Sequence, residues 1–488
     1  MKLLQDILYQ TSIKEVSGST NLAVESIVFD SRKVTGFCLF VAIRGTLSDG
    51  HGYISQAVEQ GAVAVVCEEF PETKKSGITY VKVADAHAAL GVMASNFYDN
   101  PSTELKLVGI TGTNGKTTCA TMLYRMFRLF GKKAGLISTV ENRIHSEVEP
   151  ATHTTPDAVS LNLLLRKMVS AGCSYCFMEV SSHALHQQRV SGITFAGAIY
   201  TNISHDHLDY HKTFDAYIGA KKMLFDMLPK DAFALINLDD RQAETMLQNC
   251  KAKTQKTYAL KSMADFRAKI IENQFAGLHL SIDGQDLYAR LVGRFNAYNI
   301  LSVYGAAILL NRDKMEVLTA LSNINPVAGR FEYVISPDKV TAIVDYAHTP
   351  DALQNVLKTI EDIRTRNEQV ITVLGCGGDR DKTKRPEMAR IACKYSSRVI
   401  FTSDNPRSEE PEAIIADMKA GVEPIDYKKT NTIVNRQEAI RMACSIASPG
   451  DILLIAGKGH EKYQEIKGEK FPFDDLAIVA DAFNTLQS

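Results

Sequence analysis

The chain has 488 residues, with 55 Lys plus Arg against 56 Asp plus Glu. That balance gives no sign of a nucleic-acid or anionic-membrane surface, and the length predicts about three domains, each able to bury its own core. Nine cysteines without a Cys-x-x-Cys pair predict reduced, buried thiols in a cytosol. Met1 to Thr11 carries Gln5, Asp6 and Gln10 and lacks a long apolar core, so no signal peptide is expected. No window approaches the roughly 18 apolar residues of a membrane span. The expectation is a soluble, cytoplasmic protein.

Along the chain, residues 1–97 alternate short strands with helices. Strand patterns fall at 26–29, 38–42 and 62–67, and a helix at 53–60 is closed by Gly61. Asn100-Pro101-Ser102 marks a boundary. Residues 98–327 follow, with strands at 106–110, 134–137, 175–180, 196–200 and 232–237. Helices between them predict a parallel sheet covered on both faces. Denser alternation over 255–291 predicts a small antiparallel excursion. Residues 328–488 alternate again, with strands at 341–345, 369–374, 398–402 and 452–456. The expected fold class is α/β, three modules in series with clefts between them.

The most informative stretch opens the middle module. The strand pattern to Ile110 breaks into Thr111-Gly112-Thr113-Asn114-Gly115-Lys116-Thr117-Thr118, and Met122, Leu123, Met126 and Phe130 then sit at helical spacing before Gly131. Strand, glycine loop and helix N-terminus form a phosphate cradle, in which Lys116 adds a point charge and Thr117 is placed to ligate Mg²⁺. The strict spacing wants a glycine where Ile110 stands, so the loop is a shorter variant. It predicts use of ATP.

Four further features lie in this module. Glu179, in Glu179-Val180-Ser181-Ser182-His183, ends a strand where parallel sheets bind ligands; it could hold Mg²⁺ or simply cap the strand. Three His and two Asp lie between His205 and His211, a poor zinc spacing that leaves a Mg²⁺-assisting loop or a solvated turn. Over 214–228, Lys221 falls within the apolar stripe of Phe214, Tyr217, Ile218, Leu224, Phe225 and Leu228, and Lys222 falls off it. An inward lysine either snorkels or loses its charge on desolvation, and spacing favours snorkelling. Asn296 and Asn299 share a helix face and could meet a nucleobase edge or cap the helix.

Six motifs occur in a set order: the glycine loop, Glu179–His183, Asp206-His207-Leu208-Asp209-Tyr210-His211, Gly329-Arg330-Phe331-Glu332, Asp345-Tyr346-Ala347-His348-Thr349-Pro350 and Asp404-Asn405-Pro406-Arg407. Together they resemble the Mur ligases of peptidoglycan synthesis, over all three segments, and within them the branch that adds the third stem residue. The resemblance implies a UDP-sugar-binding domain over 1–97, a central ATP-binding domain over 98–327 and a C-terminal, Rossmann-like, amino-acid-binding domain over 328–488. It implies a monomer that uses ATP and Mg²⁺, phosphorylates the D-Glu γ-carboxylate of UDP-MurNAc-L-Ala-D-Glu, and lets a diamino acid attack the acyl phosphate. Gly112, Thr113, Asn114, Gly115, Lys116, Thr117 and Thr118 would cradle the phosphates. Thr117, Glu179 and His207 would serve the metals, beside Lys221 as a carbamate, which reverses the preference for snorkelling. Asn296 and Asn299 would face adenine, Arg330 a phosphate and Asp345 the ribose. Phe29, Ser31, Thr46, Leu47 and Ser48 would meet the uridine nucleotide, and Thr154, Thr155, Ser181, Gln187 and Arg189 the muramoyl dipeptide.

Within the family, arginine in the fourth place of Asp404-Asn405-Pro406-Arg407 goes with meso-diaminopimelate, and a small residue with L-lysine. The extra carboxylate of diaminopimelate can take a bidentate fork from Arg407; lysine has none, and an unpaired guanidinium would be costly. Arg380 resembles the second arginine of that site, and Gly457 and Glu461 would receive the distal ammonium. The bland alternative for Arg407 is a surface arginine beside a turn. Gly375-x-Gly377-Gly378 lacks the last glycine of a dinucleotide fingerprint. The L-lysine-adding ligase, the ligase that attaches a preformed peptide and a folylpolyglutamate synthetase remain rivals of the same mechanism. A nucleotide-driven switch and a non-catalytic scaffold are rivals of other classes.

Overall fold

The computed structural model describes residues 1–45, 48–151 and 153–485. Among them, three large sheets of five, eleven and six strands follow one another along the chain. The first runs Ile13–Ser17, Thr79–Val83, Ala62–Cys67, Cys38–Val41, Ser26–Val28, with only the first pair antiparallel. The edge strand Ile13–Ser17 is largely exposed, so it lacks the apolar run that makes Ala62–Cys67 legible in the sequence.

The middle sheet has a parallel centre in the order Ala134–Ile137, Tyr175–Glu179, Lys106–Thr111, Gly197–Tyr200, Phe233–Asn237, Thr254–Ala259. Its inner strands are largely apolar because alternate residues feed two different cores, whereas the outer Thr254–Ala259 begins polar and exposed. Val108, Ile110, Phe177, Ile199 and Leu235 pack on one face; Leu107, Cys176, Met178, Ala198 and Ile236 pack on the other. A strand buried on both faces has no polar side to show. The expected excursion over 255–291 is corrected in part. Thr254–Ala259 joins the parallel centre, and Phe266–Gln274 pairs with it in parallel before the chain turns back through Gly277–Ile282 and Gln285–Ala289.

The third sheet runs Glu332–Ile335, Thr341–Asp345, Ile452–Ala456, Val370–Leu374, Arg398–Phe401, Thr430–Thr432, antiparallel only at its first pair. Ile343, Leu374, Phe401 and Leu454 face one core, and Val344, Val373, Ile400 and Ile455 the other. The carboxyl ends of the middle and third sheets carry the loops that form the site.

Candidate active site

The phosphate loop links the strand Lys106–Thr111 to the helix Lys116–Leu129. Gly112 has φ +150°, and a Cβ there would lie 1.8 Å from Thr201 Oγ1; Gly115 has φ +91°, and a Cβ would lie 2.5 Å from Asn299 Oδ1. Both glycines are therefore demanded by conformation and by space. The loop is clamped from the neighbouring strand end: Thr113 N donates to Asn202 O, Asn114 N to Asn202 Oδ1, and Thr201 Oγ1 to Asn114 O. Lys116 Nζ donates to the carbonyls of Gly112 and Thr113 at 2.9 and 2.8 Å. Burial lowers the Lys116 pKa, Glu179 and Asp206 oppose the shift, and Arg330 adds to it.

Around this loop lies one cleft of about 260 Å³, walled by the middle and third modules. Thr113 to Thr118, Glu179 and His207 line it on the middle side. Glu179 is fully buried and accepts from Thr139 N at 2.7 Å and Thr139 Oγ1 at 3.2 Å. His207 has a left-handed backbone, φ +56°, and its Nε2 lies 3.4 Å from Asp206 Oδ2. Partial burial pushes the His207 imidazole down, with Asp206 working against it, a direction that favours the neutral ring a metal ligand needs. Thr117 Oγ1 accepts from Arg330 Nη2 at 3.1 Å. The hydroxyl, the carboxylate and the neutral imidazole face the same space, a donor set that suits Mg²⁺ in the company of phosphate oxygens.

Lys221 does not snorkel. Its side chain is 1% exposed, and Nζ donates to Gly112 O at 2.8 Å while lying 4.4 Å above the Tyr217 ring. The helix Phe214–Asp226 turns this face inward under the loop, so the long stem has no route to water. Burial drives the Lys221 pKa well below its ordinary value, helped by Lys116 and opposed by Asp206. Lys222 is the surface member of the pair and meets Asp226.

The amides of Asn296 and Asn299 face each other instead of a cavity: Asn299 Nδ2 donates to Asn296 Oδ1, and Asn296 Nδ2 to Val292 O. Asn299 sits beneath Gly115, so this pair underlies the phosphate loop and is not among the residues that wall the cleft. Thr154 and Ser181 line the cleft. Thr155 Oγ1 donates to Glu179 O and accepts from Ser181 N, while Arg189 reaches Thr155 O and Gln187 Oε1. Four residues expected on the dipeptide are thus one hydrogen-bonded group beside Glu179.

Phe29, Ser31 and Ser48 belong to the first module and lie outside the cleft; Phe29 packs on that module's core, Ser31 is buried and Ser48 is exposed. Thr46 and Leu47 fall outside the described residues.

On the third-module side, Arg330 lies 4.6 Å over the Tyr346 ring. Asp345 Oδ2 accepts from Phe331 N at 2.6 Å, and burial raises its carboxyl to about 6, against the pull of Arg330. The loop after Arg398–Phe401 carries Asp404 and Asn405, both buried. Asn405 Nδ2 donates to Glu461 Oε2 at 2.7 Å, and a Cβ on Gly457 would lie 2.4 Å from Asp404 Oδ2. Pro406 is buried behind this loop. Arg407 is 22% exposed, has φ +52°, and donates from Nη1 to Gly378 O at 2.6 Å, with Nε 3.5 Å from Glu465 Oε2. It is no loose surface arginine. Arg380 is exposed and lines the mouth.

Sequence reasoning assigned no role to several groups in this cleft. Asp206, His348 and Lys384 line it; the first two stand inside quoted motifs, but Lys384 has no local signal. His348 Nδ1 donates to Tyr346 O, and burial lowers its pKa to about 4. Asp351 was also missed: its Oδ2 accepts from Asn114 Nδ2 at 2.8 Å and Ser204 Oγ at 3.2 Å, which ties the third module to the phosphate loop.

Comparison with known proteins agrees with this arrangement. The Mur ligase middle domain matches residues 110–307, the "Mur ligase, glutamate ligase domain" residues 329–459, and the "Mur ligase family, catalytic domain" residues 23–98. The chain belongs to the Mur ligase family. It is 56% identical over 484 residues to the UDP-N-acetylmuramoyl-L-alanyl-D-glutamate–2,6-diaminopimelate ligase of Cytophaga hutchinsonii, covering 99% of each chain. A solved structure of a ligase with the same description superposes with a TM-score of 0.70 at 32% identity, over 100% of this chain and 99% of that one. Mycobacterium tuberculosis folylpolyglutamate synthase, solved with ADP and AMPPCP, shares the fold at 16% identity with a TM-score of 0.62, over 82% of this chain and 95% of its own. No helix among the described residues is long and apolar enough to cross a membrane.

Proposed function

We propose that this Mur ligase joins meso-diaminopimelate to the D-Glu γ-carboxylate of UDP-MurNAc-L-Ala-D-Glu, at the expense of ATP. The reading rests on one observation. Lys116 and Glu179 face Arg407, Asn405 and Glu461 across a single cleft, so a phosphoryl group and an amine held at these places are brought to one point. The domains run over 1–97, 98–327 and 328–488, and the enzyme works as a monomer in the cytoplasm.

The γ-phosphoryl of ATP passes to the carboxylate oxygen and ADP leaves; the diamino acid's amine then attacks the acyl carbon and phosphate departs. Phosphorylation turns a poor leaving group into a good one, and catalysis is mainly positioning and charge compensation. Gly112 to Thr118 hold the phosphates, with Lys116 on the γ-phosphate once it releases the loop carbonyls. Thr117, Glu179 and His207, with Lys221 as a carbamate, would hold Mg²⁺, which would offset the charge of the transferring group. A buried amine with a depressed pKa is the form that reacts with CO₂, which supports the carbamate. Asn296 and Asn299 stand on the adenine side, Arg330 meets a phosphate and Asp345 the ribose. Thr154, Thr155, Ser181, Gln187 and Arg189 position the muramoyl dipeptide, and Phe29, Ser31 and the segment 46–48 the uridine nucleotide.

Arg380 and Arg407 take the distal carboxylate of diaminopimelate, with Asp404, Asn405 and Pro406 shaping that wall. Gly457 and Glu461 take the distal ammonium. The cleft lies between the middle and third modules, a place where closure of the modules around the substrates would exclude water.

Phosphate release from ATP with UDP-MurNAc-L-Ala-D-Glu, given meso-diaminopimelate or L-lysine in parallel, tests this. Release with diaminopimelate alone is expected. Release with lysine would keep the ligase and remove the role given to Arg407; silence with both would favour the peptide-attaching or folate-type ligases.

A further inference from the structure

Lys458 stands between the two residues assigned to the distal ammonium and has been given no task. Its side chain has no exposure. Nζ donates to Asn405 Oδ1 at 2.8 Å and Glu461 Oε2 at 3.4 Å, and Asp404 Oδ1 lies 3.8 Å away. Asp404 and Glu461 come from different loops and converge on this one ammonium. Two buried carboxylates that converge on one point are costly to hold there without a cation between them. Two negative charges and one positive leave a single negative charge, the complement of one incoming ammonium.

We propose that Lys458 is a positioning residue for the acceptor: a buried counter-cation set between Asp404 and Glu461 that aims the Glu461 side chain at the distal ammonium of the diamino acid. The inference rests on the diamino-acid reading of this cleft. It concerns the ammonium, which diaminopimelate and lysine share, and so is independent of which of them is chosen. Asn405 fixes the other side of the arrangement, because one amide donates to Glu461 and accepts from Lys458. The groups that face Glu461 are Asp404, Lys458, Tyr346, whose hydroxyl is 3.4 Å away, Tyr463 and Arg436. Arg436 is already committed to Asp475 through two hydrogen bonds. Burial and Asp404 raise the Glu461 carboxyl, and Lys458 and Asn405 hold it down. Loss of Lys458 therefore moves Glu461 further upward.

The test uses the full chain with Lys458→Met and Lys458→Gln, assayed with the diamino acid that the wild type accepts. A wild type that accepts neither would defeat the functional reading itself, before any variant is compared. The expected result is an acceptor KM raised about tenfold or more in both variants, with the KM for ATP unchanged. The acidic limb of kcat/KM for the acceptor should also move to higher pH. In the Lys458→Met/Glu461→Gln double variant the loss should be well below the sum of the two single losses, because the carboxylate that the cation aims is already gone. Equal losses for ATP and acceptor, an unmoved pH limb, or wild-type behaviour of Lys458→Gln would each overturn the proposal. If Lys458→Met does not fold, Lys458→Gln carries the same measurements.

Discussion

The two ends of the cleft are held in different ways. At the phosphate end the main chain does most of the holding: Lys116 and Lys221 both donate to Gly112 O, Glu179 accepts from the Thr139 amide, and the loop hangs on Asn202. At the acceptor end the contacts are largely between side chains on loops, such as Asn405 with Glu461, Lys458 with Asn405, and Arg407 with Glu465. The difference follows the chemistry. Phosphoryl transfer is the same whatever amine arrives, so its parts can be built into a strand–loop–helix unit with little freedom. Choice of the amine depends on a few side chains, and loops on a rigid sheet can change them without disturbing the core.

The strongest way to test the rigid end is Lys221→Ala, with an expected loss of turnover of about 10³-fold or more. Short carboxylic acids added to this variant should restore part of the activity by standing in for the carbamate oxygens. A dead variant that binds metal normally and gains nothing from such acids would break that account. At the other end, Arg407→Ala should cost about 2 kcal/mol in kcat/KM for diaminopimelate, roughly thirtyfold, with ATP use intact. Steady-state kinetics with each substrate varied would show it, and an unchanged value would mean that Gly378 and Glu465 are the true business of that guanidinium.

Asp345 sharpens the contrast through pH. Burial raises its carboxyl to about 6 from 3.8. The folded chain therefore keeps a proton that the unfolded chain has already released, and the associated stability, complete below the unfolded value, is lost as pH rises through about 6. Asp345→Asn keeps an oxygen for the Phe331 amide and removes the charge. Its Tm should match the wild type near pH 4 and exceed it by a few degrees near pH 7.5, and a gap independent of pH would remove the argument. The smallest effect is expected where the two ends meet. Asp351→Ala deletes the bonds to Asn114 and Ser204, at about 1 kcal/mol each, and should raise the KM for ATP severalfold and lower the midpoint of unfolding by a few degrees. An unaltered KM would mean that the third module does not steady the loop.

Much of this is legible in the sequence alone, where the signal is local. A phosphate loop is contiguous, so strand, glycines, lysine and helix can be read in one pass. Strands such as Ala134–Ile137, Thr341–Asp345 and Ile452–Ala456 are plain because burial on both faces makes them largely apolar. The exposed strand Ile13–Ser17 and the half-buried Glu332–Ile335 are short edge strands and give no such signal. Lys221 shows the limit of periodicity. The stripe placed it on the inward face, but spacing cannot say whether water lies within reach of a long stem.

By itself, then, the sequence determined three α/β modules, a nucleotide loop and an acceptor motif, because each is encoded in residues adjacent along the chain. Tertiary structure alone decided that Lys221 ends on Gly112 O, that Asn296 and Asn299 satisfy each other, that Lys458 is enclosed by Asp404 and Glu461, and that Asp351 reaches the phosphate loop. Those contacts join groups from separate turns, loops and modules. Which of them meet depends on how packed layers close around buried charges, each of which must find a partner, and no local pattern records the partner it finds.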